Sequence, residues 1–142
     1  EQLYEAKKDF EKVVKIKPEK EPALRKTIEE TNIEIKRLEK VVEPTRIKMT
    51  ESRATKTDVV TAAEASNKLG NTAMTKQLVA KGLELDQNNS QLIAVQIDNL
   101  LKENQIAKAK EVLKAALLRD VKIEAIAKHN KNVAAFIRRE DL

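Results

Sequence analysis

Residues 106–120 read IAKAKEVLKAALLRD, with Ala109, Leu113, Ala116 and Leu117 separated by steps of four, three and one. Such steps keep apolar side chains on one face of a helix. The same order recurs near the start of the chain, in YEAKKDFEKVVKIKP at residues 4–18, where Ala6, Phe10, Val13 and Val14 stand in the corresponding positions. Two distant stretches with one pattern point to a repeated structural unit, and the small residues in the pattern suit helices that cross closely.

Working outward from residues 106–120, the pattern acquires a period. Gly70 and Asn104, Gly82 and Ala116, Leu83 and Leu117, Asp86 and Asp120, and Ala63 and Ile97 are each separated by 34 residues, and Val79 stands to Leu113 as Val59 stands to Ile93. Asp58 is placed to cap a helix ending at Leu69, and Gly70 supplies the left-handed residue that commonly terminates one. A second helix is expected over residues 71–85, followed by the loop DQNNS at 86–90 with Ser90 as the next cap. The third helix ends at Asn104, a residue type that tolerates left-handed geometry, and the fourth occupies 106–119. Helix, turn, helix and loop at this period match the spacing of tetratricopeptide repeats.

Residues 56–123 therefore resemble two tandem repeats of the tetratricopeptide family, with Ala63, Gly70, Gly82-Leu83 and Asp86-Gln87-Asn88-Asn89 in the first, and Asn104, Ala109, Ala116-Leu117 and Asp120 in the second. Residues 1–18 resemble the second helix of a further repeat, with Pro18 in the place of the loop proline. Thr75 and Ile97 stand where the family prefers small residues. The resemblance implies helical hairpins stacked as part of an α-solenoid. A terminal second helix followed by a long helix is also similar to the end of the tetratricopeptide domains of immunophilins and related co-chaperones, although here more repeats follow.

Composition agrees with an all-α chain. Among 142 residues, Tyr4, Phe10 and Phe136 are the only aromatic ones and Gly70 and Gly82 the only glycines, so the core must be aliphatic and there are few flexible positions for the tight turns of a β-sandwich. A chain of this length buries roughly two-thirds of its unfolded surface, enough for one domain spanning 1–142. Without cysteine, disulfides and thiolate metal sites are excluded. No run approaches the ~20 apolar residues of a membrane span, and no signal peptide is recognisable, so the cytoplasm is the expected compartment. Because Glu1 falls within a helical pattern, the chain is expected to be a piece of a longer protein.

Between the half repeat and the two full repeats lie residues 19–55. Leu3, Ala6, Phe10, Val13, Val14 and Lys17 predict a helix over 2–17, stopped by Pro18. Leu24, Ile28, Thr31, Ile35, Leu38 and Val42 then step by fours and threes, predicting one long helix near 21–42 without a turn at 33–35. Such a seam either packs within the domain or pairs two copies of the chain. Pro44 suits the first turn of a new helix, so residues 44–56 are expected to hold a short helix and a connection. At the other end, Ile123, Ile126, Asn130, Val133 and Ile137 predict a single capping helix over 124–142, with Lys122, Lys128, Lys131, Arg138 and Arg139 outside its apolar face; the alternative is a basic amphipathic helix that meets an acidic partner or a membrane surface.

Catalytic chemistry has no visible constellation. His129 is the only histidine and lies among polar and basic residues, where a solvated imidazole is the plain expectation. Glu29, Glu30 and Glu34 have Lys26, Lys36 and Arg37 within helical pairing distance. The two glycines are too isolated to cradle a phosphate. No enzyme activity, cofactor or metal is expected.

The expected function is recognition of a protein or peptide ligand by a scaffold or adaptor. Stacked hairpins line a groove with the first helix of each pair. In the register implied by the resemblance, the lining residues are Val60, Glu64, Asn67 and Lys68, then Gln91, Ala94, Asp98, Leu101 and Lys102; the block expected to contact a partner is Glu64, Asn67, Lys68, Gln91, Asp98, Leu101 and Lys102. Chaperone-binding members of the family place a lysine and an asparagine where this chain has Val60 with Glu64 and Ala94 with Asp98, so a clamp for a terminal carboxylate is not expected. Two other readings remain. With 28 basic against 23 acidic residues, a net charge of +5 and lysines at 7, 8, 12, 15, 17 and 20, a helical module associated with RNA or a ribonucleoprotein is one. Homodimer formation through the long helix is the other.

Overall fold

A computed structural model of the chain describes residues 3–140, and every regular element among them is helical. In chain order these are α1 (Leu3–Ile16), a short 3-10 turn (Pro18–Lys20), α2 (Glu21–Thr50), α3 (Lys56–Leu69), α4 (Thr72–Leu85), α5 (Ser90–Lys102), α6 (Ile106–Leu118), α7 (Ile123–Ala127) and α8 (Lys131–Glu140). Residue 2 of the expected first helix and residues 141 and 142 of the expected capping helix lie outside the described part.

From α1 to α6 each helix packs on the next; α3 also packs on α5, and α5 on α7 and α8. The connections between α3 and α4 and between α5 and α6 are short, residues 70–71 and 103–105, and each pair packs together. Side-chain caps and left-handed residues fix the helix ends. Asn71 and Asn89 cap α4 and α5 by accepting the Met74 and Leu92 N–H groups at 3.1 and 3.0 Å. Gly70 and Asn104, with φ of 83° and 59°, end α3 and α5 in the left-handed region, and the next residues, Asn71 and Gln105, donate back to the Ser66 and Leu100 carbonyls.

Two adjoining cores result. One joins Ile35, Leu38 and Val42 of α2 with Val59, Ala62, Ala63 and Leu69 of α3 and Leu78 and Val79 of α4; the other joins Ile93 and Ile97 with Ala109, Leu113, Ala116, Ile126, Val133 and Phe136, and Leu83 touches both. Small residues set the helix separation. A methyl on Gly82 would lie 2.5 Å from Leu92 Cδ1 and 3.3 Å from Val59 Cγ1, so α4 meets α3 and α5 through bare backbone. Thr75 is fully buried and donates its hydroxyl to the Asn71 carbonyl at 2.8 Å, 3.0 Å from the Ser66 hydroxyl. A buried hydroxyl with partners costs little.

Several expected boundaries move. The long helix does not stop at Val42: it continues through Pro44 to Thr50, about 45 Å at 1.5 Å per residue. Pro44 removes a backbone donor, yet Val42 and Thr45 on either side of it are buried, Val42 in the core shared with α3 and Thr45 with its hydroxyl 3.4 Å from the Asp58 carbonyl of α3, and Lys48 reaches Asp58 at 3.4 Å. Packing on both sides of the proline outweighs the local penalty. The connection is thereby reduced to residues 51–55. Asp58 is not the cap of α3 but its third residue. Thr55 is the cap; its hydroxyl accepts the Asp58 N–H at 3.2 Å and its own N–H donates to Asp58 Oδ2 at 3.1 Å, a reciprocal capping box. Likewise Asn89, not Ser90, caps α5.

The expected terminal helix is two helices. Asn130 Oδ1 accepts the N–H groups of Asn132 and Val133 at 2.8 and 3.1 Å, starting α8 anew after the five residues of α7. The break re-aims the final segment so that Phe136, absent from the expected apolar face, is 1% exposed. The seam on α2 is filled from within the chain: Ile35, Leu38 and Val42 are buried, while Leu24, Ile28 and Thr31 are half-covered along the part adjoining α1.

Two substitutions test this packing. Gly82→Ala gains about 1 kcal/mol of helix propensity but forces a methyl into Leu92, an overpacking cost of about 1–3 kcal/mol. Net destabilisation is expected in urea unfolding, with Leu92→Val offsetting part of it in a double-mutant cycle; two additive, neutral changes would remove Gly82 as a constraint. Pro44→Ala restores a helix donor at an exposed position and should stabilise the chain by about 1–3 kcal/mol, seen as a higher midpoint at unchanged slope.

Candidate functional site

The first helices of the two pairs, α3 and α5, touch directly, and what joins them is polar. Asp98, one turn before the end of α5, is 2% exposed, and Asn67 on α3 is 5% exposed. The Asn67 amide donates to Asp98 Oδ2 at 2.7 Å, the Asn132 amide of α8 donates to Asp98 Oδ1 at 3.2 Å, and the Lys102 ammonium lies 3.4 Å from Oδ2. Lys102 in turn donates to the Asn67 carbonyl at 2.7 Å and to its side-chain oxygen at 3.2 Å. Helical spacing makes this possible: residues 98 and 102 are one turn apart on α5, and the near-terminal carbonyl of α3 at Asn67 is a natural acceptor for a cation.

Burial by itself raises the pKa of Asp98, but the Asn67 amide, the Lys102 charge and the amides of Asn132 and Asn130 together outweigh it, so the carboxyl titrates below the usual aspartate range. The carboxylate is thus held ionised and fully partnered, with its charge matched by Lys102.

The expected partner-contacting residues divide accordingly. Glu64 and Gln91 are hydrogen-bonded to each other across α3 and α5. Asn67, Asp98 and Lys102 form the network just described, so five of the seven expected residues contact one another rather than open solvent. Leu101 is half-buried beside Asp98 and Lys102. Lys68 is exposed and turned toward α2, where its charge helps, after the Arg37 hydrogen bond, to lower the pKa of Glu34. Val60 and Ala94, expected to line the groove, are 9% and 1% exposed and belong to the cores. These two positions face neighbouring helices.

A cleft of about 630 Å³ opens beside this network, between α5 and α8. Asp98, Leu101 and Lys102 line it from α5; Asn132, Ala135, Arg138 and Arg139 line it from α8. Its size falls in the range of ordinary ligand sites. Arg138 and Arg139 were expected outside the apolar face and are exposed there; Asn132 and Ala135 were not expected at a site. Asn130 carried the available signal for the break before α8, since asparagine favours a helix start. His129 is exposed at the α7–α8 junction, with Nε2 3.4 Å from the Ser90 hydroxyl. Among the described residues, no group of three or more histidine, cysteine or acidic side chains is arranged to hold a metal ion, and no helix is long and apolar enough to cross a membrane.

No family model, curated protein or solved structure matches the chain.

The Asp98 network has a pH signature. Its folded pKa is depressed, so the unfolded chain binds the proton more readily; the contribution to stability is full above about pH 4, the ordinary aspartate value, and is lost as pH falls through the lower folded value. Asp98→Asn should flatten the decline of unfolding free energy between pH 4 and 2 without abolishing it, since Asp58, Glu34 and Glu43 are also shifted down. At neutral pH the same change leaves Lys102 with an unmatched charge, 9% exposed, and should cost about 3–5 kcal/mol. Urea unfolding across this pH range measures both effects.

Proposed function

We propose that the chain is a non-catalytic protein-interaction module of tetratricopeptide type, a scaffold or adaptor that holds a peptide or a partner's helix along the side formed by α3, α5 and α8. The observation that carries this reading is the cleft between α5 and α8, with Leu101 and Ala135 giving it apolar surface and polar groups on both sides. Sites that fix a peptide combine a few buried apolar contacts with polar groups that set its orientation. The 34-residue spacing of the Thr55 and Asn89 caps and of left-handed Gly70 and Asn104 supports repeated hairpins, whose first helices line up to make such a surface. Glu64 and Asp98, at the positions of a terminal-carboxylate clamp, are held by Gln91 and by Asn67, Lys102 and Asn132, so a co-chaperone role resting on that clamp is not part of the proposal.

Reversing Asp98 or Lys102 would disrupt the fold before it reported on binding. Ala135 is a better probe, being half-buried on the cleft wall. With the full chain as bait, Ala135→Trp should occupy the cleft and abolish recovery of the proteins captured by the unchanged chain, while the helical circular dichroism spectrum and urea midpoint stay close to the parent's. Undiminished capture by a folded Ala135→Trp variant would remove the cleft as the binding site.

A further inference from the structure

The charge of the cleft differs from the charge of the residues on α3 and α5 alone. Taken as a sequence, the α3–α5 surface presents Glu64 and Asp98, which would turn anionic partners away. In the folded chain both oxygens of Asp98 accept hydrogen bonds from amides, Lys102 stands against Oδ2, and Glu64 is bound to Gln91. Because Lys102 matches the charge of Asp98 and Glu64 is not among the residues that line the cleft, the inner wall is close to neutral. At the mouth stand Arg138 and Arg139, both exposed, on the last turn of α8. Among the described residues, neither has a carboxylate within ion-pair distance, whereas Lys110 holds the adjacent Glu140 at 3.1 Å. Beneath the arginines, Leu101 and Ala135 supply apolar surface.

From this juxtaposition we infer that the cleft between α5 and α8 receives an acidic peptide segment, two of whose side-chain carboxylates meet Arg138 and Arg139 while a neighbouring apolar side chain rests on Leu101 and Ala135. The inference rests on the proposed binding function and specifies its ligand. Guanidinium groups suit carboxylates because their planar N–H pairs match the two oxygens. The amide of Asn132 and the partnered Asp98 add polarity without a second uncompensated negative charge. A nucleic acid fits less well. Single-strand binding draws on aromatic stacking platforms and a run of phosphate contacts; here Phe136 is buried in the core, Tyr4 and Phe10 are on α1, and no aromatic residue lines the cleft.

The test is fluorescence anisotropy with the full chain and fluorescein-labelled Leu-Glu-Glu-Leu-Glu-Glu-Leu, its glutamine and lysine counterparts, and a single-stranded RNA. The glutamate peptide should bind best, more weakly as salt is added, and the paired change R138E/R139E should reduce its affinity about tenfold, a difference of about 1.4 kcal/mol. The control K122E/K128E makes the same change in net charge at exposed lysines outside the cleft and should leave the affinity unaltered. Circular dichroism checks that both variants keep the parent's helicity. Equal binding of the glutamine peptide, lost in Ala135→Trp, would overturn the acidic preference and leave the binding cleft standing. Binding of no peptide in a manner sensitive to Ala135→Trp or R138E/R139E would overturn both. Tighter binding of RNA, weakened equally by the two charge reversals, would overturn both in favour of a diffuse phosphate-binding surface.

Discussion

A carboxylate almost wholly withdrawn from water, on the inner side of α5, is the constraint around which the second half of this chain is organised. An ionised aspartate cannot be buried alone, so Asp98 requires donors from both sides of its helix. It obtains them from α3, through Asn67, and from α8, through Asn132, with Lys102 of its own helix completing the charge. Non-directional apolar contacts would allow α3, α5 and α8 to slide against one another. Hydrogen bonds to specific oxygens fix their register. Such a network is weak evidence for stability and better understood as a device that selects one arrangement.

Close helix contact makes the network possible. Small residues keep the helices close: Ala62 and Ala63 of α3 and Ala109 and Ala116 of α6 are fully buried, and the bare backbone of Gly82 on α4 meets Val59 of α3 and Leu92 of α5. Large aliphatic side chains then fill the space between crossings, in two cores bridged by Leu83. The cleft lies between α5 and α8, the helix that begins afresh after the Asn130 break.

The candidate site was only partly legible in residue order. Counting along α3 and α5 picked out Asn67, Asp98, Leu101 and Lys102, and these residues do converge. Their side chains mostly answer one another, because a helical register says which way a residue points but not which partner will meet it there. On α8, Arg138 and Arg139 stand off the apolar face formed by Val133 and Ile137, as their spacing requires, and are exposed. What residue order did not show is that they stand beside Asp98 and Lys102, because the packing of α8 on α5 is set by contacts between elements distant in the chain.

Local information was enough for the helices themselves: apolar spacing, the scarcity of glycine and aromatic residues, and the left-handed positions at Gly70 and Asn104 determine an all-α chain of short-linked hairpins, since each depends on neighbours within a few residues. Tertiary structure alone decided the rest. It carried α2 through Pro44 by packing α3 against Val42 and Thr45. It also gave one pattern two fates: Ala109, Leu113 and Ala116 are fully buried in α6, while Val13 is 41% exposed in α1, which has no buried residue. Burial and charge compensation belong to the whole assembly of helices, because both depend on what comes to stand opposite a side chain, and that is set by elements distant in the chain.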